Sequence, residues 1–287
     1  MREGLNMYKV GLSTPCARVT DEAFAAYHAA GITVAEISDN IDGYAHLDYV
    51  KLREIAEKHG ITLHSMHLPF SPFTEIDVSN PALADRTVEY YRGLMENGTG
   101  AGVRIFVLHP SGEPIREQRE LRMKTAKNSL ARLADIADAL GAVIAVENLP
   151  RTCLGRSSSE IAELLSAHSS LRACFDTNHL LEENTFDFMR NIGGKIITTH
   201  ISDYDFVNER HWLPGEGKVD WQGVIAVLSE IGYSGPWVYE LGLACPKTIL
   251  RDRDLAYDDF VLNASELFAG KEPTVFSRPK PNLGWWE

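Results

Sequence analysis

Short apolar runs alternate along the chain with longer stretches in which apolar side chains recur at helical spacing, and the two periods separate strands from helices. Tyr8 to Ser13 reads as a first strand, and Asp21 to Ala30 as a helix capped by Thr20 and stopped by Gly31. Ile32 to Ile37 is a second strand. Leu47 to His59, with Leu47, Val50, Leu52, Ile55 and Ala56 near helical spacing and Gly60 at its end, is a helix leading into the strand Ile61 to His67. The alternation continues with a helix from Pro81 to about Glu96, a strand Val103 to Leu108, a long helix Ile115 to Leu140 closed by Gly141, and a strand Ala142 to Val146. A helix Ser157 to His168, the strand Leu171 to Phe175, a short helix Thr185 to Asn191 and the strand Lys195 to Ile201 follow. Trp221 to Ile231 with Gly232, then Pro236 to Tyr239, then Pro246 to Phe268 supply a helix, a strand and a final helix.

Eight strand-helix units with short buried strands imply a parallel sheet, and in a chain of 287 residues they favour closure into an α/β (β/α)8 TIM barrel. The competing doubly wound nucleotide fold lacks its signature. Gly98-Thr99-Gly100-Ala101-Gly102 precedes a strand instead of following one, its glycine spacing does not suit a phosphate turn, and it reads as a loop. Residues 1–270 then form one catalytic domain. Residues 271–287, rich in Pro and ending in Trp285-Trp286-Glu287, form an extension lying on the barrel or on a partner copy, since exposed tryptophans are an apolar liability.

Composition narrows the function classes. The formal net charge is -12 and no run of Lys and Arg offsets it, which argues against nucleic acid as a partner. The start MREGLNMYKV lacks a signal-peptide apolar stretch, and no apolar run is long enough to span a bilayer, so the expectation is a soluble, cytoplasmic chain with no membrane partner. Cys16, Cys153, Cys174 and Cys245 are scattered without paired spacing, as reduced structural cysteines are.

The chemistry gathers at the ends of the expected strands: His67, His109, Glu147, Asp176 with His179 three residues later, His200 and Glu240. These ends recur about every 35 residues, close to one strand-helix unit, and a barrel opens all its strand ends on one face. Glu147, Asp176 and Glu240 would repel one another there unless a cation neutralised them. With His200 they make an oxygen-rich four-ligand site for one divalent metal, manganese first, with magnesium, cobalt and zinc also suited. The plainer alternatives are that His67 and His109 are core histidines bonded to backbone, that Glu147 or Glu240 pairs with an arginine, and that Asp176 merely caps the next segment. Beyond the seventh strand, Glu209-Arg210-His211 and Pro214-Gly215-Glu216-Gly217 form a loop in which Arg210 and His211 suit the oxygens of an anion or a sugar, and Glu36 at the second strand's end faces the same mouth.

The ordered set MHLPF, LHPSG, ENLP, DTNH, HISD, PGEGKVDW and YELG resembles the xylose-isomerase-like barrel superfamily, which holds sugar and sugar-phosphate isomerases and epimerases together with endonuclease IV. The resemblance runs from the second strand to Glu240. It implies Glu147, Asp176, His200 and Glu240 as the metal ligands of the epimerase branch, His179 as a substrate contact, and Glu147 and Glu240 as the pair that removes and returns a proton beside a carbonyl through a metal-held enediolate. His67, His109, Glu209 and His211 echo the further ligands of the three-zinc endonuclease, and in many members of the superfamily such histidines meet substrate hydroxyls. Where ketose epimerases of the branch carry an arginine before the PG turn, this chain has His211-Trp212. The reading is an isomerase or epimerase of a sugar, sugar phosphate or related polyol. A keto-sugar or inosose lyase or dehydratase would use the same site, a zinc phosphodiesterase of damaged DNA is the alternative from another class, and a catalytically dead binding barrel is the third.

Overall fold

The computed structural model describes residues 7–70, 75–112 and 118–280. Eight parallel strands, β1 (Val10–Thr14), β2 (Val34–Ser38), β3 (Thr62–His67), β4 (Ile105–Leu108), β5 (Val143–Glu147), β6 (Arg172–Asp176), β7 (Ile196–His200) and β8 (Trp237–Tyr239), stand side by side in chain order, with β1 also paired to β8. Just beyond β7, Ile201 bridges Tyr239: its amide donates to Val238 O at 2.8 Å, and Glu240 N donates back to Ile201 O at 3.1 Å. Those bonds close the ring into the expected (β/α)8 barrel, which removes the sheet's edges.

Around the barrel lie α1 (Asp21–Ala30), α2 (Ile41–Ala45), α3 (Tyr49–His59), α4 (Ala84–Gly100), α5 (Arg119–Ala139), α6 (Ser158–Leu165), α7 (Thr185–Ile192), α8 (Trp221–Glu230) and α9 (Tyr257–Phe268). Local signals set several of their ends. Thr20 Oγ1 accepts from Ala23 N at 3.2 Å to start α1, and Gly31, at φ 94°, ends it in the left-handed conformation that glycine adopts without a Cβ clash.

The two-residue period of a strand decides what faces the barrel interior. Val107, Ala145 and Cys174 form a small buried apolar cluster apart from the large layer under the helices. Two residues beyond Ala145 and Cys174, on the same face, come Glu147 and Asp176; Thr198 precedes His200, and Ser65 precedes His67, in the same way. Every polar strand end therefore sits on top of the inner cluster and points toward the barrel axis.

Three expectations need correction. The glycine-rich run 98–102 is not all loop, because α4 continues to Gly100. A Cβ on Gly98 would stand 2.8 Å from Phe106 Cε1, so the glycine is there to let the helix lie against β4, and that contact overrides its poor helix propensity. The final helix starts at Tyr257 rather than Pro246. Residues 249–251 are instead extended as β9 (Ile249–Arg251), antiparallel to β10 (Ser277–Pro279), with Arg251 bound to Glu216 through two hydrogen bonds of 3.0 and 2.5 Å. The short helix α2 has no helical period to betray it; Asn40 Oδ1 caps it at Gly43 N, 3.0 Å away. The expected start of the long helix at Ile115 and the tryptophans at 285 and 286 lie outside the described residues. No helix among the described residues is long and apolar enough to cross a membrane.

Gly98→Val tests the close approach of α4 to the barrel. It should destabilise the protein by about 1–3 kcal/mol through overpacking against Phe106, measured by urea unfolding; unchanged stability would show that the contact has slack.

Candidate active site

Glu147 closes β5 with a carboxylate of no exposure, and four imidazoles surround it. Oε2 lies 2.9 Å from His67 Nε2 and 3.3 Å from His109 Nε2, while Oε1 lies 3.2 Å from His200 Nδ1 and 3.3 Å from His179 Nδ1. His67 is oriented from behind, its Nδ1 2.9 Å from Leu68 O. His200 is oriented by Glu36, whose Oε1 stands 2.9 Å from Nε2 and whose Oε2 accepts from Ser65 Oγ at 2.6 Å.

The three carboxylates converge on one atom. His200 Nδ1 is 3.2 Å from Glu147 Oε1, 3.5 Å from Glu240 Oε2 and 3.9 Å from Asp176 Oδ2. Two ligands that share a cation at about 2.1 Å stand about 3.0 Å apart at a right angle and about 3.4 Å apart at the tetrahedral angle. The Glu147 and Glu240 spacings fit such sharing, whereas Asp176 stands farther from His200 and groups instead with Glu147 and His179. Asp176 Oδ2 is also buried without a hydrogen-bond partner among the described residues, as an oxygen reserved for a cation would be. Two overlapping donor groups result, His67, Glu147, His200 and Glu240 in one, Glu147, Asp176 and His179 in the other, with a third formed by His179, Glu209 and His211.

Burial and charge set the protonation states. Burial opposes ionisation of Glu147, but His200 and His109 outweigh it and hold the carboxyl well below its ordinary range. Burial pushes Glu240 up to about 8, with Glu147 and Asp176 adding to the push against His200, and raises Asp176 to about 6 against the pull of His179. Burial alone would lower His179, yet Asp176 and Glu147 carry it to about 10; His109, where burial dominates, falls to about 4.

Next to this cluster is a cavity of about 610 Å³ whose lining includes His109, His179, Glu209, His211 and Glu240. Its loops are held by buried polar groups. Asn148 clamps the backbone of Asp176, Nδ2 donating to its carbonyl at 2.9 Å and Oδ1 accepting from its amide at 2.8 Å, while Asn148 O meets His179 Nδ1 at 2.9 Å. Asp203 gathers the loop after β7 by accepting from Tyr204 N, Gly215 N, Val219 N and Trp221 Nε1, all at 2.8–3.1 Å. His211 sits in that loop at φ 51°, its Nδ1 3.0 Å from Glu240 O, with Nε2 left for the cavity.

A family profile described as the xylose isomerase-like TIM barrel matches residues 24–255. The chain belongs to that family. The resemblance carried by the strand-end motifs is thereby borne out. An uncharacterized protein of Methanocaldococcus jannaschii is 28% identical over 194 residues, covering 64% of this chain and 66% of the relative. An inosose isomerase of Bacillus licheniformis is 28% identical over 162 residues, covering 51% of this chain and 57% of that enzyme, so the match spans little more than half its length. Among solved structures, a D-tagatose 3-epimerase-like protein superposes with a TM-score of 0.71 at 22% identity over 81% of this chain and 90% of that one. The 3-keto-D-glucoside 4-epimerase of E. coli superposes with a TM-score of 0.70 at 15% identity over 88% and 97%. At such identities the superpositions show a shared fold.

Three residues of this xylose isomerase-like barrel lie away from the mouth where substrate contacts were expected. His67, 1% exposed, is enclosed beside Glu147 at the end of β3, and Glu36, two residues before the end of β2, is enclosed between His200 and Ser65. Arg210 is buried, its Nε donating to Asp205 Oδ2 at 2.9 Å, so it braces the loop. His109, His179 and His211 do line the cavity. Asn148 and Asp203 were missed as site-builders. Their signal is position, each standing just beyond a strand-end ligand in ENLP and HISD.

Two measurements follow from the protonation states and from Glu36. Asp176 and Glu240 hold protons below about 6 and 8, and a cation must displace them. Manganese affinity should thus rise with pH through those values, by about tenfold or more between pH 6 and 8.5; a flat titration over that range would contradict it. Glu36→Gln should weaken metal binding by about 10- to 100-fold by loosening His200, read by competition with a chelator.

Proposed function

We propose that the protein is a divalent-metal-dependent isomerase or epimerase that moves a proton beside a carbonyl of a sugar or related polyol, phosphorylated or not. The observation that carries this reading is the convergence of Glu147, Asp176 and Glu240 on His200 Nδ1 beside a cavity rimmed by polar side chains. One divalent ion is proposed there, manganese first, with magnesium, cobalt and zinc as alternatives. When bound it would supply Lewis acidity to adjacent carbonyl and hydroxyl oxygens of the substrate. Relatives described as an inosose isomerase and sugar epimerases support the substrate class. Residues 1–270 are proposed as the catalytic barrel, cytoplasmic, with 271–287 as an extension lying on the barrel or on a partner copy.

The chain's own residues divide the work by environment. Glu240 lines the cavity, so its carboxyl is placed to exchange a proton with a carbon or oxygen of the substrate. Glu147, whose carboxyl the surrounding imidazoles hold ionised, is the other member of the pair and the one suited to remove a proton. His179 and His211 present ring nitrogens to substrate hydroxyls, and the buried walls limit water. A lyase or dehydratase acting on a keto-sugar would need the same pair.

A second reading keeps its place because of one observation: His179, Glu209 and His211 form a further donor group, and His67 and His109 both face Glu147. Nine side chains could then serve several zinc ions, as in a phosphodiester hydrolase. The charge of -12 opposes approach of a nucleic acid.

Elemental analysis of protein purified without chelators decides between them. About one divalent ion per chain supports the isomerase, and near three zinc ions replaces it with the hydrolase. Glu240→Gln should lower kcat by about 10²- to 10⁴-fold with an unchanged circular dichroism spectrum; normal turnover would remove Glu240 from the mechanism.

A further inference from the structure

The cavity has two unlike halves, and the difference follows strand order. Its polar half comes from segments after β6, β7 and β8 and contains His179, Glu209, His211 and Glu240. The opposite half comes from segments after β3 and β5 and from α4, and it presents Phe70, Ile76, Tyr91, Leu149 and Pro150. Among the described residues, the polar side chains of this second half have partners, Arg151 Nη1 included, which donates to Asn208 Oδ1 at 3.1 Å and stands 3.2 Å from Glu209 Oε1. The Tyr91 hydroxyl donates to Pro69 O at 2.8 Å, Ser111 Oγ accepts from Leu154 N at 2.9 Å, and Arg122 donates to Asp77 Oδ2 at 2.7 Å. A hydroxyl-rich ring placed there would lose its water for groups that are spoken for, which is unfavourable.

Phe70 sharpens the contrast. It is 48% exposed, yet its ring is fixed, stacked on the His109 imidazole with centroids 3.8 Å apart and planes at 26°. An aromatic surface held in place at the edge of an apolar wall is a platform for a second aromatic ring.

We propose that the substrate is a keto-sugar bearing an aromatic substituent, with the sugar at the Glu240 end and the aromatic group against Phe70, Ile76 and Leu149. This rests on the reading of the site as one for a keto-sugar, and the test separates the two. Calorimetry on the manganese-loaded protein with phenyl β-D-glucopyranoside and methyl β-D-glucopyranoside reads the aromatic half without any reaction. The phenyl compound should bind about tenfold tighter or more, and Phe70→Ala, at an exposed position, should cut that preference to roughly threefold or less. Leu149→Asn should shrink it as well. Equal affinity for the two glycosides, or a preference untouched by Phe70→Ala, overturns the proposal whatever reaction the enzyme performs. A phenyl preference in a protein that turns over no keto-sugar leaves the aromatic half standing and removes the isomerase reading instead.

Discussion

A carboxylate with no exposed surface is costly to keep ionised, and Glu147 remains so only because four imidazoles lie within 3.3 Å of its two oxygens. The arrangement at the top of the barrel answers to that demand. His67 and His200 are in turn fixed by Leu68 O and by Glu36, and Glu36 by Ser65, so the order reaches from β5 across β3 and β2. What the imidazoles cannot satisfy is the excess of acid: Asp176 and Glu240 are crowded into the same space and hold protons unless a cation takes their place.

Rigid strands bring Glu147, Asp176 and His200 together, but loops carry the groups that meet the cavity, and loops need holding. Asn148 and Asp203 do this from beneath, one by clasping both backbone polar groups of Asp176, the other by gathering donors from Tyr204, Gly215, Val219 and Trp221. Gly217 belongs to this device: a Cβ there would stand 2.2 Å from Asp203 Oδ1. His211 at φ 51° is the strained member, a conformation that a non-glycine residue keeps only where its surroundings enforce it. The Nδ1 contact to Glu240 O supplies that enforcement and ties the loop after β7 to the end of β8.

Much of the fold was legible because its signals are local. Thr20 and Gly31 bound α1 as the sequence reads, and the alternation of strand and helix holds around the ring. The failures are of one kind, a tertiary contact outvoting a local preference. Gly98 reads as a breaker but stays helical because α4 presses on Phe106 there, and residues 249–251 read as helix but pair with a strand near the end of the described chain.

The site divides in the same way. Glu147, Asp176, His200 and Glu240 could be picked out because a barrel turns strand ends toward one axis, and strand ends are marked by the change from apolar run to polar residue. Which of the remaining candidates line the cavity could not, since Glu36, His67 and Arg210 look like His109, His179 and His211 as residues and differ only in how their side chains are enclosed. Sequence by itself determined the alternation of strands and helices, the closed barrel and the placing of Glu147, Asp176, His200 and Glu240 at strand ends, all of which follow from periodicity along one chain. Only the tertiary structure decided depth, the clamps of Asn148 and Asp203, and the apolar half of the cavity, because each depends on which loops from distant strands meet in space.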